Sequence, residues 1–187
     1  MAGTKKTALL LALSACLASC ASPQQQPEIN KLNSQVGKLN TEMQQLTQQA
    51  TVLTQQNMLN SSSTQGAWLL PGANTGVVLK SQAGDLRLSL SHIEGEANGT
   101  RAILHIRSAA ENTLPAFSAT VEWGEADPVT GKPLQPGSQS QSFSVTGSLL
   151  PRSEVTVPLR LSNLQPEQLG YVRVHDIVTS ATPPVAQ

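Results

Sequence analysis

The feature that most constrains this chain is a change of hydrophobic period about a third of the way along it. Ile29, Val36, Met43 and Ala50 recur at every seventh residue, and Leu32, Leu39, Leu46 and Leu53 recur in step with them. Apolar side chains at every a and d position of four heptads read as a coiled-coil or amphipathic helix. Asn57 and Asn60 take the next two seam positions and end the run. The pattern predicts a helix over 28–60, about 50 Å long at roughly 1.5 Å per residue. From residue 76 onward that period is lost and strict alternation replaces it. Leu86, Leu88 and Leu90 alternate with Arg87 and Ser89; Phe117, Ala119, Val121 and Trp123 alternate with Ser118, Thr120 and Glu122. Val155, Val157, Leu159 and Leu161 alternate with Thr156, Pro158 and Arg160. A helix and a strand place their side chains at incompatible periods, so the two halves belong to different architectures.

The alternating half predicts strands at 76–81, 85–93, 100–107, 117–124, 139–146, 154–161 and 171–177. One apolar and one polar face per strand is the pattern of antiparallel sheets. About seven such strands between Gly, Pro and Asn turns predict an all-β, immunoglobulin-like antiparallel sandwich over 67–180. Pro158 belongs on an edge, because it cannot donate to a ladder. Asn98-Gly99 reads as a tight hairpin turn, and 127–133 as a longer one. Leu164-Gln165-Pro166 followed by Tyr171 resembles a tyrosine corner, in which the hydroxyl bonds back to nearby backbone. That Tyr strand is the last in sequence, so the strand order can depart from the standard one. Trp68-Leu69-Leu70-Pro71 is more apolar than a linker needs and is expected to pack on the sandwich.

The N-terminus is a secretory signal. Lys5 and Lys6 are followed by the apolar run Ala8 to Leu13 and then by small residues. The run is too short to span a bilayer, which takes about 20 apolar residues. Leu17-Ala18-Ser19-Cys20 matches the lipobox of bacterial lipoproteins. By that resemblance the Cys20 thiol receives diacylglycerol, the bond before it is cut, and the new amino group is acylated. Leu13-Ser14-Ala15-Cys16 also fits, but would leave an unusually short apolar stretch. Each buried methylene of an acyl chain contributes about 0.8 kcal/mol, and a single chain holds only reversibly. Ala21 follows the cysteine; in enteric-type lipoproteins an Asp there signals inner-membrane retention, so the analogy implies the outer membrane. Ala-Ser-Pro-Gln-Gln-Gln-Pro over 21–27 reads as an extended tether. The expected organisation is a signal peptide at 1–19, lipidated Cys20 and tether at 20–27, helix at 28–60, linker at 61–66, sandwich at 67–180 and a disordered tail at 181–187.

Little in the mature part suggests chemistry. Both cysteines, Cys16 and Cys20, lie in the first twenty residues, so the domain has no disulfide, no thiolate ligand and no cysteine nucleophile. Removing the two signal lysines leaves ten basic against twelve acidic side chains, with no footprint for nucleic acid. The helix flanks (Asn33, Gln35, Asn40, Glu42, Thr47, Gln49, Thr54, Gln56) are nearly uncharged, so ion pairs encode no partner. If Asn98-Gly99 makes the turn, His92 faces His105, and with Glu94 nearby the pair is a metal candidate. The same register puts Leu86, Leu88 and Leu90 on the wrong face unless a bulge near Ser91 changes the phase, and a bulge would disturb the pair. Two surface histidines is the preferred reading, and no cofactor is expected. Glu96 and Arg101 should form an exposed ion pair. His175 and Asp176 point to opposite faces by alternation, and no Gly-x-Ser-x-Gly elbow exists, so no catalytic residue is assigned.

Trp68-Leu69-Leu70-Pro71, Leu86-Arg87-Leu88-Ser89-Leu90, Leu114-Pro115-Ala116-Phe117 and Val121-Glu122-Trp123-Gly124 resemble the YajI-like family of uncharacterised bacterial lipoproteins. Leu149-Leu150-Pro151 and Tyr171-Val172-Arg173-Val174 extend the likeness, which spans the lipobox and most of residues 66–180. The resemblance implies an immunoglobulin-like sandwich in the cell envelope and carries no activity or site residues. The expected function is a membrane-anchored, non-enzymatic binding or assembly module of the envelope. An envelope protein is the expected partner; for the helix, self-association or a spacer role stands beside a solitary amphipathic helix resting on its own domain or on lipid, and the charge-poor flanks do not decide between them. An envelope hydrolase or metal-dependent enzyme acting on cell-wall material is the alternative.

Overall fold

The computed structural model describes residues 25–63, 65–134 and 137–180. The expected signal peptide, the lipidation candidate Cys20 and the expected tail at 181–187 lie outside the described residues. Helix α1 runs Gln25–Ser61, three residues earlier than the pattern predicts. Pro27 sits inside its first turn, where the missing N–H would have had no intrahelical partner in any case. The chain divides into two compact units, one ending at Gln45 and the other beginning at Leu46. That division falls inside α1 and not at 61–66, because the last turns of the helix are packed on the sandwich. Polar composition marked a linker there but could not register the buried Gln56.

Eight strands follow, one more than the pattern predicts: β1 (Ala67–Leu69), β2 (Val77–Ser81), β3 (Gly84–Glu96), β4 (Gly99–Ser108), β5 (Phe117–Gly124), β6 (Gln139–Val145), β7 (Glu154–Ser162) and β8 (Tyr171–Thr179). The additional strand is the Trp68 segment, too short at three residues to show alternation. Two four-stranded antiparallel sheets result, in the orders β1-β8-β5-β6 and β2-β3-β4-β7. Strands β3, β4 and β7 correspond to A, B and E of an immunoglobulin sandwich, and β6, β5 and β8 to C′, C and F. The place of G beside F is taken by β1, which arrives from the N-terminal side. Pro158 lies on β7, which is an edge, as its chemistry requires.

Between the sheets, Leu86, Leu88, Leu104, Ile106 and Leu161 meet Phe117, Val121, Trp123, Val172 and Val174, all buried. With no disulfide in this unit, burial of these side chains carries its stability, at about 1.5–3 kcal/mol for each large one. A β-bulge between Ser91 and Glu94 shifts the β3–β4 register. Before it Leu86, Leu88 and Leu90 face inward; after it Ile93 does. His92 absorbs the extra residue with a left-handed backbone, φ 50°.

The hairpin turn differs from its prediction. Glu96 pairs with Gly99, so the turn residues are Ala97 and Asn98. Gly99 serves another purpose: at φ 149°, a Cβ there would stand 2.3 Å from the Leu161 carbonyl of β7. Its glycine is demanded by close approach of the neighbouring strand. Arg101 consequently pairs with Glu94 at 2.5 Å and not with Glu96.

Candidate functional site

Among the described residues three arrangements have chemistry to offer: the helix seam, a polar cluster on the outer face of the first sheet, and another on the outer face of the second. The seam is an apolar stripe of exposed side chains. Ile29, Leu32, Val36, Leu39, Met43 and Leu46 are between 50 and 68% exposed. No helix among the described residues is long and apolar enough to cross a membrane.

Farther along, the helix changes face. Val52, Gln55, Gln56 and Leu59 turn to the sandwich, roughly 130° around the axis from Leu46, Ala50 and Leu53, and Asn60, on the seam side one turn past Leu53, joins them at the helix end. Asn60 acts as a substitute strand for the edge of β1. Its Oδ1 accepts the Trp68 N–H at 2.8 Å, and its Nδ2 donates to the Trp68 carbonyl at 2.8 Å. Gln56, fully buried, accepts the Leu70 N–H at 2.8 Å, and Gln55 donates to the Val129 carbonyl at 2.8 Å. The 127–133 loop that supplies this carbonyl is itself tied by Asp127. The Thr130 N–H, the Thr130 hydroxyl and the Val129 N–H all donate to its carboxylate and hold its pKa below the usual carboxylate value. The sequence signal for this foot was two Asn residues interrupting the seam; nothing periodic marks Gln55 or Gln56.

The cluster on the first sheet centres on Glu122 of β5. Tyr171 donates its hydroxyl to Glu122 Oε1 at 3.1 Å, and Arg173 Nη1 donates to Oε2 at 3.3 Å. The expected tyrosine corner is therefore not formed. Tyr171 points out of the sheet, away from the core that Val172 and Val174 enter, and its ring rests on Trp68 at 5.2 Å. Burial, with the Glu122 charge added, pushes the phenol up to about 12. Arg173 also stacks on the Trp68 ring at 4.9 Å and donates to the Gln65 carbonyl at 2.9 Å. Trp68 packs on the sandwich, as its segment's hydrophobicity implied. His175 Nδ1 lies 2.9 Å from Asp176. Simple alternation separates these two, but Asp176 has φ 52° and the β5–β8 register slips beside it, which returns the carboxylate to the imidazole. The cluster joins three strands and exposes little reactive surface.

The second sheet carries the more pointed geometry. His105 faces Ser89 and not His92, because the bulge moves the register. Ser91 Oγ lies 2.6 Å from His105 Nε2 and 2.9 Å from His92 Nδ1. On the other side of the ring, His105 Nδ1 lies 2.6 Å from Glu154 Oε1, and Arg107 Nε holds Oε2 at 2.6 Å. The bond from His105, supported by the Arg107 charge, lowers the Glu154 pKa from its ordinary value against a smaller burial effect. Among the described residues no group of three or more His, Cys, Asp or Glu could hold a metal ion. The two histidines suggested as ligands, His92 and His105, flank a serine hydroxyl.

A lipobox-bearing chain whose folded part is a β-sandwich seated on the foot of a seamed helix belongs to the class of envelope lipoproteins with an immunoglobulin-like domain. The chain belongs to the DUF3251 family of proteins of unknown function, which matches residues 20–187. It is 42% identical over 168 residues to the uncharacterised lipoprotein YajI of Escherichia coli strain K12, covering 90% of each chain. The solution structure of that Escherichia coli lipoprotein is similar at a TM-score of 0.64 and 41% identity, over 75% of this chain and 80% of the other. A trimeric lipoprotein of Salmonella enterica, SadB, gives a TM-score of 0.49 at 16% identity, over 96% of this chain and 100% of that one. The chain is thus a member of a lipoprotein family without an assigned biochemical role.

Proposed function

We propose that this chain is a lipid-anchored assembly module of the cell envelope, held by acyl groups on Cys20 at the periplasmic face of the outer membrane. Its seam associates with the seams of further copies, and its sandwich is presented to an envelope protein. The observation that supports this reading is the exposed stripe from Ile29 to Leu46. Half-exposed Leu, Ile, Val and Met side chains each gain on the order of 1 kcal/mol when covered. A copy of the same seam fits, because its heptads interdigitate in register and its uncharged flanks do not repel. Anchors at one end of every copy make the association parallel. Val52, Gln55, Gln56 and Leu59 of the domain foot occupy a different helix face from Leu46, Ala50 and Leu53, and Asn60 lies beyond the last apolar seam position, so closing the seam up to Leu53 need not displace the foot.

For the envelope partner, strand addition to an open sheet edge is the favoured mode. Edge β1 is covered by Asn60, and edge β7 is interrupted by Pro158. Edge β6, Gln-Ser-Gln-Ser-Phe-Ser-Val, carries neither proline nor charge, the devices that normally blunt an edge.

Val36→Cys in the full lipoprotein tests the parallel seam. Oxidation of intact membranes should give a disulfide-linked dimer, and adding Leu39→Asp should abolish it. A chain that stays monomeric when crosslinked at Val36 refutes self-association. Cys20→Ser tests the anchor: the variant should leave the outer-membrane fraction, and retention there without bound fatty acid refutes it.

A further inference from the structure

We propose that Ser91 is an activated nucleophile that accepts acyl groups from carboxylic esters, with His105 as its base and Glu154 orienting that base. The atoms meet in the order such chemistry requires: hydroxyl to Nε2 at 2.6 Å, carboxylate to Nδ1 at 2.6 Å. With Glu154 ionised, His105 keeps its proton on Nδ1 and donates it to Oε1. Nε2 is then an acceptor, and the Ser91 hydroxyl donates to it. Arg107 on the second Glu154 oxygen holds the carboxylate in place.

His92 completes the arrangement. The bulge turns its backbone left-handed and brings Nδ1 to 2.9 Å from Ser91 Oγ. In the Nδ1–H form this ring holds a donor beside Ser91, where a negative oxygen would develop on a carbon attached to Oγ, the kind of contact that stabilises acyl transfer. A bulge kept in the middle of a long strand, with a non-glycine residue at φ 50°, is the kind of local strain found at working sites.

In the first step Ser91 Oγ bonds to the ester carbonyl carbon while its proton passes to His105 Nε2. The C–O bond to the leaving alcohol breaks, and the alcohol takes that proton. Water then attacks the acyl-serine through the same base, releasing the carboxylic acid and restoring the hydroxyl. The site lies on an open sheet face, so it suits small or surface-presented esters. Arg87, cross-strand from Arg107, favours those with a negative end.

The full chain, purified in detergent, is treated with a biotinylated fluorophosphonate, which an activated serine displaces with loss of fluoride. Label should map to Ser91 by peptide mass spectrometry and vanish in Ser91→Ala. His105→Gln, which can retain a bond to Ser91 but cannot accept its proton, should label at least tenfold more slowly. Circular dichroism checks that each variant is folded. His105→Gly, if folded, should recover labelling when free imidazole is added. Absence of label on Ser91 in the native chain, or labelling at an unchanged rate in a folded His105→Gln, overturns the proposal and leaves the three residues as a hydrogen-bonded tie across the sheet.

Discussion

Asn60 is the side chain whose loss should unseat the foot of the helix. Its amide makes two 2.8 Å bonds to the main chain of Trp68, one as acceptor and one as donor. Asn60→Ala removes both and leaves a half-buried N–H and C=O of the β1 edge without their partners. Two net hydrogen bonds at about 1 kcal/mol each, plus incomplete resolvation, total about 2–3 kcal/mol. Alanine is the better helix former by about 0.5 kcal/mol, so the expected net loss is about 2 kcal/mol. In a unit of this size that corresponds to a fall in Tm of roughly 4–8 °C. Asn57→Ala supplies the control, since Asn57 is exposed, gains the same helix propensity and lies on the seam side. Thermal and urea unfolding should separate the two variants, and hydrogen exchange at the Trp68 amide should quicken only in Asn60→Ala. If the two unfold within about 0.5 kcal/mol of each other, the amide is not a substitute strand and the account of the foot is wrong.

Other expectations follow from the same geometry. A Cβ on Gly124 would stand 3.0 Å from the ring of Tyr171, which is fully buried and in contact with Trp68, so Gly124→Ala should cost about 1–3 kcal/mol in urea unfolding. Tyr171→Leu in the same chain should relieve part of that loss. Because the folded phenol is raised from 10.0 to about 12, the stability it confers is complete below pH 10 and disappears as pH rises toward 12. Tyr171 is the one tyrosine in the chain, so ultraviolet absorbance should show no phenolate at pH 10 until the protein unfolds. Asp127, lowered by its loop bonds, should behave in the opposite sense: its contribution is present above the ordinary carboxylate range and is lost as pH falls through its folded value. Asp127→Ala should therefore speed proteolysis of the 127–133 loop at neutral pH, and a loop cut no faster than in the native chain refutes that role.

The parts of the fold that repeat are legible along the chain without reference to its partners in space. The heptads located α1 to within a few residues, and alternation located seven of the eight strands, because burial on one face imposes a period that can be read locally. The bulge near Ser91 was legible too, since no unbroken strand could bury both Leu88 and Ile93. Its consequence for His92 and His105 was foreseen as a disturbance, though not as a serine set between two imidazoles. Tertiary structure decided which strands became neighbours, and with them every polar cluster. Placing β1 beside β8 brought Trp68 to Arg173 and Tyr171, and placing β7 beside β4 brought Glu154 to His105 across 49 residues of chain. Gln56 and Asn60 found their partners only when the helix foot met an edge strand. A polar side chain satisfied by a distant group leaves no period in the sequence; its partner is chosen by strand order and register, and those exist only once the sheets have closed.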